Sequence, residues 1–531
     1  EQLKKEIGHM LILGFTDEDI NENSQIVKDI QKYELGGVIL FDRFYDERSK
    51  TKNISSPHQL QRLTKKLKMF AKRELFIAVD QEGGKVARLK PEYGFTETPS
   101  AFELSKTPLK NARDIYARQS HMLKNAGINL NFAPVVDLAI NPKNEVIVAL
   151  ERSFGTDSSR VSSFAEVMIE EQRKKGVTSV LKHFPGHGSS LGDSHEGFVN
   201  ISKTWSTKEL EPYQNLIDKK QVDMIMTAHV FNKYIDQEYP ATLSYRVNSE
   251  ILREKMKYGG LIVSDDMQMK AISEHYSTKE AVTLAINAGV DILLFGNQLA
   301  NITVDELVNT IFTQVKSGAI PYERILESNQ RIQNLRTKNA IVQKPIIFTQ
   351  KRKDMTKEYI KTHYGLKVKD IKIEPKMIVL HWTAVMDFDE CFKRLNAEEL
   401  YSDRGDIAAA SALNVSAHFL VARDGTIYQL MPDNWMARHV IGLNYSTIGI
   451  ENIGGEGNVK DDLTDAQLEA NIKLVKYLRA KYQTIEHIIG HHEYREYEES
   501  PLWLEKDDGY RTIKADPGDR FTNAVRAAVD G

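Results

Sequence analysis

Six ionisable side chains stand where short apolar runs stop. Asp80 closes the run 75–80, Asp137 the run 128–137, Lys182 and His183 the run 177–183, His229 the run 222–229, and Asp265 the run 260–265. Carboxylates and imidazoles gathered at strand ends can move protons or attack an electrophilic carbon. Asp193 precedes His195 by two residues, close enough to hydrogen-bond the imidazole, fix its tautomer and tune it for acid/base work. A second group is dispersed: His381 ends the run 377–381, His491 follows the run 488–490, and Asp516 stands in the stretch 514–518. Two imidazoles and a carboxylate that leave a fourth position open are the donor set of a catalytic zinc, which acidifies water. The dispersed spacing does not by itself establish such a site. The single cysteine, Cys391, excludes an internal disulfide and cysteine clusters, so any metal falls to His and carboxylates.

Positioning these groups requires parallel strands. From about residue 30 to 300 a β-rich apolar run ending in polar residues or glycine is followed, again and again, by a helical stretch; seven such runs are clear and an eighth lies near Met10–Phe15. Runs apolar throughout fit strands buried on both faces, and about eight of them in this length predict an α/β fold of the TIM (β/α)8-barrel type, whose strand C-termini converge on one rim. An open doubly wound sheet is the alternative. The last barrel helix is expected through 321–335, with Pro321 in its first turn. A basic stretch, 351–376, then reads as a linker and docking helix, or as a surface for an acidic polymer.

The remaining chain predicts a smaller mixed-sheet α/β domain. Its strands fall at 377–381, 418–422, 426–430 and 447–451; Arg423-Asp-Gly425 makes a hairpin turn, and Thr464 with Gln467 forms a capping box for a helix to about 482. The expected boundaries are 1–340 for the barrel, 341–364 for the linker or docking helix and 365–531 for the second domain.

Several separated motifs carry a resemblance over about residues 1–335. Val79-Asp-Gln-Glu-Gly-Gly-Lys-Val-Ala-Arg88, Leu181-Lys-His-Phe-Pro-Gly-His-Gly188, Asp193-Ser-His195 and the stretch 251–265 ending in Ser264-Asp265 resemble glycoside hydrolase family 3, and within it the NagZ-type β-N-acetylglucosaminidases of peptidoglycan turnover. The resemblance implies that Asp265 is the nucleophile of a retaining mechanism and that His195, oriented by Asp193, is the acid/base in place of the usual second carboxylate. It also implies that Asp80, Arg88, Arg152, Lys182 and His183 grip the sugar, and that this domain needs no cofactor. Asp266 points to the other face of an extended strand and is given no catalytic role, while His187 and His229 are as well read as structural.

Leu380-His-Trp-Thr-Ala384, Val415-Ser-Ala-His-Phe419, Ile448-Gly-Ile-Glu451, Gly490-His-His492 and Lys514-Ala-Asp-Pro-Gly518 together resemble the type 2 zinc-dependent N-acetylmuramoyl-L-alanine amidases, which are similar to peptidoglycan-recognition proteins, over about residues 365–525. The resemblance implies Zn2+ on His381, His491 and Asp516, Glu451 as general base and Lys514 at the oxyanion. The stretch 493–511 departs from a short family loop and reads as a wall of a stem-peptide cleft or as a structural flap.

The chain has 531 residues, 71 Lys plus Arg against 74 Asp plus Glu, and no apolar run long enough to span a membrane, so neither nucleic acid nor a membrane span is expected. The expected partners are peptidoglycan fragments, GlcNAc-MurNAc or GlcNAc-anhydroMurNAc peptides, and no protein partner is implied. The expected function is bifunctional: removal of a non-reducing GlcNAc and cleavage of MurNAc from the stem peptide. The alternatives are a second domain that binds the wall without cutting it, and phosphate replacing water as acceptor at the first site. The absence of an initial Met leans the expectation towards an exported protein.

Overall fold

The computed structural model describes residues 1–192 and 197–530, so Asp193 and His195 lie outside the described residues. The chain divides into two compact units, Glu1–Ile332 and Gln333–Gly531.

In the first unit eight parallel strands form one sheet in the order β10-β1-β2-β3-β4-β5-β7-β9. They are β1 (Leu11–Gly14), β2 (Gly37–Ile39), β3 (Phe76–Val79), β4 (Leu130–Asn131), β5 (Thr178–Phe184), β7 (Met224–Thr227), β9 (Leu261–Ser264) and β10 (Leu293–Phe295). A parallel bridge between Val263 and Ile292 joins β9 to the chain entering β10, which brings the sheet round into the predicted barrel. Every residue of these eight strands is buried, as apolar runs covered on both faces require. The run 128–137 yields only a two-residue strand: the Ala133 N–H turns back to the Asn131 carbonyl, and pairing with β5 resumes at Val135. Two further strands, β6 (Val199–Asn200) and β8 (Val230–Phe231), pair with each other apart from the barrel.

The second unit is built on a six-stranded mixed sheet, ordered β11-β14-β13-β15-β12-β16. These strands are β11 (Val342–Gln343), β12 (Met377–Trp382), β13 (Phe419–Val421), β14 (Ile427–Gln429), β15 (Thr447–Asn452) and β16 (His487–Gly490). Only β13 and β14 are antiparallel, and they meet at the predicted hairpin, where Gly425 adopts φ +86°. The helix Asp465–Lys481 starts at the predicted capping box of Thr464 and Gln467. It covers one face, packing Leu474 and Leu478 against Ile378, Leu380, Ile448 and Ile450. The helix Gln350–Tyr364 belongs to the core on the other face, where Tyr359, Ile360 and Tyr364 join Met377, Val379 and Ile489. Residues 341–364, read from sequence as a linker and docking helix, therefore supply an edge strand and a core helix to this unit. The charge of 351–376 concealed the pattern, because the apolar positions of one helix face are interleaved with lysines. The stretch 493–511 packs as a flap, with Trp503 stacked on Tyr494 and the Leu504 N–H donating to Gly442.

At the start of β10 the fully buried carboxylate of Asp291 is paired with Arg253, Arg324 at 3.6 Å and Arg331 at 2.9 Å, and it accepts the Ile262 N–H. One acid thus ties the last barrel helix to the segment preceding β9. Removing it leaves largely shielded guanidinium groups unmatched, so Asp291→Ala should lower the unfolding free energy by about 3–5 kcal/mol. The check is the urea midpoint of barrel unfolding, with Lys66→Ala at the exposed Asp19 pair as a variant expected to leave it unchanged.

Candidate active sites

The barrel rim carries a closed network of opposite charges. Lys182, on β5, donates to Asp80 at 2.9 Å and pairs with Glu82 at 2.7 Å. Glu82 also holds Arg152 through two parallel bonds of 2.8 Å, and Arg88 reaches Asp80 at 3.4 Å. His183 sits 2.7 Å from Asp137 through Nδ1 and 3.2 Å from the Arg152 guanidinium through Nε2. Because Arg152 can only donate, Nε2 accepts and the proton sits on Nδ1, facing Asp137. Burial pushes the Glu82 carboxyl up, but Arg152 and Lys182 outweigh it and hold it at about 2. The structure thus brings Asp80, Arg88, Arg152, Lys182 and His183 into one cluster.

Asp265 follows β9 on the same rim, half-buried, its backbone N–H donating to Thr227 of β7. Its carboxylate accepts the Asp266 N–H at 2.8 Å. Asp266 turns instead towards Gly296, accepts the Gln268 N–H, and its carbonyl meets His229 Nε2 at 2.8 Å. His229 is buried and bonded through both ring nitrogens, the other to Thr242, while His187 is buried and bonded to Ser190 through Nδ1.

In the second unit, strand alternation decides which groups meet. Ile378, Leu380 and Trp382 fill one core, so His381 lies on the opposite face of β12. On β15, Ile448 and Ile450 take the first face, which leaves Glu451 on the second; the parallel register sets His381 directly beside Glu451. His491 continues the same face beyond β16. The result is a buried triangle: His381 Nδ1 and His491 Nδ1 are 3.0 Å apart, and Asp516 Oδ2 is 3.2 and 3.0 Å from them. Burial lowers the His491 imidazole to about 4, so it is neutral, as a metal ligand must be. Three donors about 3.3 Å apart are three corners of a tetrahedron with 2.0–2.1 Å bonds, so the residues fit a metal ion.

Glu451 has a buried carboxylate oxygen with no hydrogen-bond partner among the described residues. Burial raises its carboxyl to about 7, with His381 pulling it down and Asp516 pushing it up. Lys514, His491, Arg404 and Thr512 line a cavity of about 40 Å³ beside the triangle. On its far side His381 meets His439 Nδ1 at 3.0 Å, and His439 Nε2 meets Thr447 Oγ1 at 3.0 Å. A Cβ at position 449 would come within 2.8 Å of the His439 ring, so glycine there gives that ring its place against the sheet. His418 anchors backbone only, receiving the Gly449 N–H and reaching the Trp435 carbonyl.

Residues 2–335 match the model of the glycosyl hydrolase family 3 N-terminal domain, well over half of the chain. The chain belongs to glycosyl hydrolase family 3. To this family 3 barrel is joined a region, 372–519, that matches the N-acetylmuramoyl-L-alanine amidase family, so both halves belong to hydrolase families. Beta-hexosaminidase A of Pseudoalteromonas piscicida is 32% identical over 337 residues, covering 58% of this chain and 54% of that protein; the chain thus spans about half of that relative's length. A beta-hexosaminidase of Tolumonas auensis is 36% identical over 274 residues, 50% of this chain and 77% of that protein. Among solved structures, LpqI of Mycobacterium tuberculosis aligns with a TM-score of 0.53 at 29% identity, covering 62% of this chain and 92% of that chain.

Sequence reasoning missed Glu82, although it stands two residues beyond Asp80 in an extended segment and so shares its side. It placed Asp137 at a strand end without pairing it to His183, and it gave His439 no site role. Two outcomes follow from the geometry. Lys182→Met should lower stability by about 3–5 kcal/mol by leaving Asp80 and Glu82 facing each other, measurable by denaturant unfolding. Gly449→Ala, which displaces His439 from behind His381, should weaken zinc binding about 10-fold or more in a chelator competition titration.

Proposed function

We propose that the chain is a bifunctional hydrolase of peptidoglycan fragments. Its barrel removes a non-reducing β-linked GlcNAc with retention, and its second unit cuts the amide between MurNAc and the stem peptide. The observation that carries the amidase half is the complete triangle of His381, His491 and Asp516 with Glu451 set beside it by strand register. A domain that only bound the wall would have no use for a complete donor set next to a buried acid poised to take a proton.

In the barrel, Asp265 attacks the anomeric carbon, and His195 with Asp193, assigned by motif, protonates the leaving oxygen and later deprotonates water. Asp80, Arg88, Arg152, Lys182 and His183 hold the sugar; their mutual pairing fixes them before it arrives, so little reorganisation accompanies the reaction.

In the second unit, His381, His491 and Asp516 hold Zn2+, which supplies Lewis acidity towards water and the amide carbonyl. Glu451 takes the proton from the attacking water and passes it to the departing amine. Lys514 places its ammonium beside the oxygen that becomes negative.

Zinc-loaded protein given GlcNAc-MurNAc-peptide should release both GlcNAc and free peptide, followed by mass spectrometry. Asp265→Asn should abolish the first product alone and Glu451→Gln the second alone, each by about 100-fold or more. Release of GlcNAc alone by the zinc-loaded wild type would sink the amidase half, and a phosphate requirement for GlcNAc release would sink hydrolysis at the first. Because Glu451 must be ionised to act, amidase activity should fall as pH drops through its pKa. A bound cation lowers that pKa, so the acid limb of the pH–rate profile should lie below about 7.

A further inference from the structure

Three barrel connections leave aromatic rings together in solvent. The strands β6 and β8, which follow β5 and β7, pair in parallel as a short ribbon, Val199 beside Val230 and Asn200 beside Phe231. At its edge the Phe198 ring lies 5.3 Å from Phe231 and 5.7 Å from His275, which stands in the connection after β9. Phe198 is 50% exposed and Tyr234, three residues past Phe231, is 74% exposed. Neither belongs to the barrel core, and apolar rings left together in water mark interaction sites and ligand grooves.

The place of the cluster limits what it binds. β5, β7 and β9 are consecutive in the barrel, and the connections that follow them rise from the rim that carries Lys182, His183 and Asp265. The charged network of Asp80, Glu82, Arg152 and Lys182 lies on the side of β3 to β5, where hydroxyls and an N-acetyl group find donors and acceptors. The aromatic side offers the apolar rings of Phe198 and Phe231 with one imidazole on the other side of Phe198. That chemistry suits a pyranose ring laid flat, its C–H face against the rings and a hydroxyl or carboxylate within reach of the imidazole.

We infer that Phe198, Phe231 and His275 form the subsite for the leaving-group saccharide, the sugar on the reducing side of the bond cut beside Asp265. The inference rests on the glycosidase reading of the barrel and adds to it how the enzyme chooses a disaccharide over a GlcNAc with a small substituent. Binding at this subsite acts only on substrates that carry a second sugar.

The test compares two substrates on the full chain: a β-linked GlcNAc-MurNAc disaccharide and the methyl β-glycoside of GlcNAc, whose leaving oxygen needs the same protonation but carries no second sugar. Phe198→Ala should lower kcat/KM about tenfold on the disaccharide and less than twofold on the methyl glycoside. His275→Ala, at an exposed position where folding is not at stake, should shift the same ratio in the same direction, and Phe198→Trp should restore it. Equal losses on both substrates, or none on either, would overturn the subsite. A wild type that releases GlcNAc from neither substrate would instead overturn the glycosidase reading on which the subsite rests.

Discussion

A charge withdrawn from water must be answered by an opposite charge within a few ångströms, and both candidate sites are built around that requirement. At the barrel rim Asp80 and Glu82 face Lys182, Arg152 and Arg88, so each of these two acids is shared between basic groups, while Asp137 holds the Nδ1–H of His183. The sharing makes the network rigid: a side chain that turned towards a ligand would abandon a partner already shielded from water. Substrate hydroxyls therefore meet an array whose orientation is settled by the protein's own electrostatics.

The second unit meets the same requirement incompletely, and there the incompleteness is chemical capacity. Three donors converge at hydrogen-bonding distance with too few protons to satisfy them all, which is the condition a cation relieves. Glu451 is kept close to neutrality by burial, so a modest change in surrounding charge moves it between acid and base. Parallel register, rather than a loop, sets Glu451 beside His381, and a strand holds such a pair more firmly than a loop would.

Much of this was legible in the sequence because the barrel repeats one phrase. Apolar runs ending in Asp80, Lys182-His183 and Asp265 announced strands that deliver chemistry to one rim, and the Thr464 capping box and Arg423-Asp-Gly turn marked element ends to within a residue. What stayed hidden depended on pairing across the chain. Glu82 is named by Arg152 and Lys182, seventy and one hundred residues away, and the place of His439 behind the metal triangle is named by His381, fifty-eight away. The strand and helix within 341–364 were masked for another reason: β11 has two residues, both exposed, and the helix carries its lysines between core positions.

That last feature bears on where the two halves can be separated. The amidase family match begins at residue 372, yet the unit's sheet begins with β11, paired to β14, and one of its cores includes Tyr359, Ile360 and Tyr364. Within the same helix His363 is bonded to the fully buried carboxylate of Glu505 in the flap, and Asn444 to Tyr364. A piece cut to the family boundary would open a sheet edge, bare an aromatic core and strand a buried acid. A self-standing piece must therefore keep β11 and this helix, and the seam between the two compact units, after Ile332, lies about forty residues ahead of the homology that defines the second.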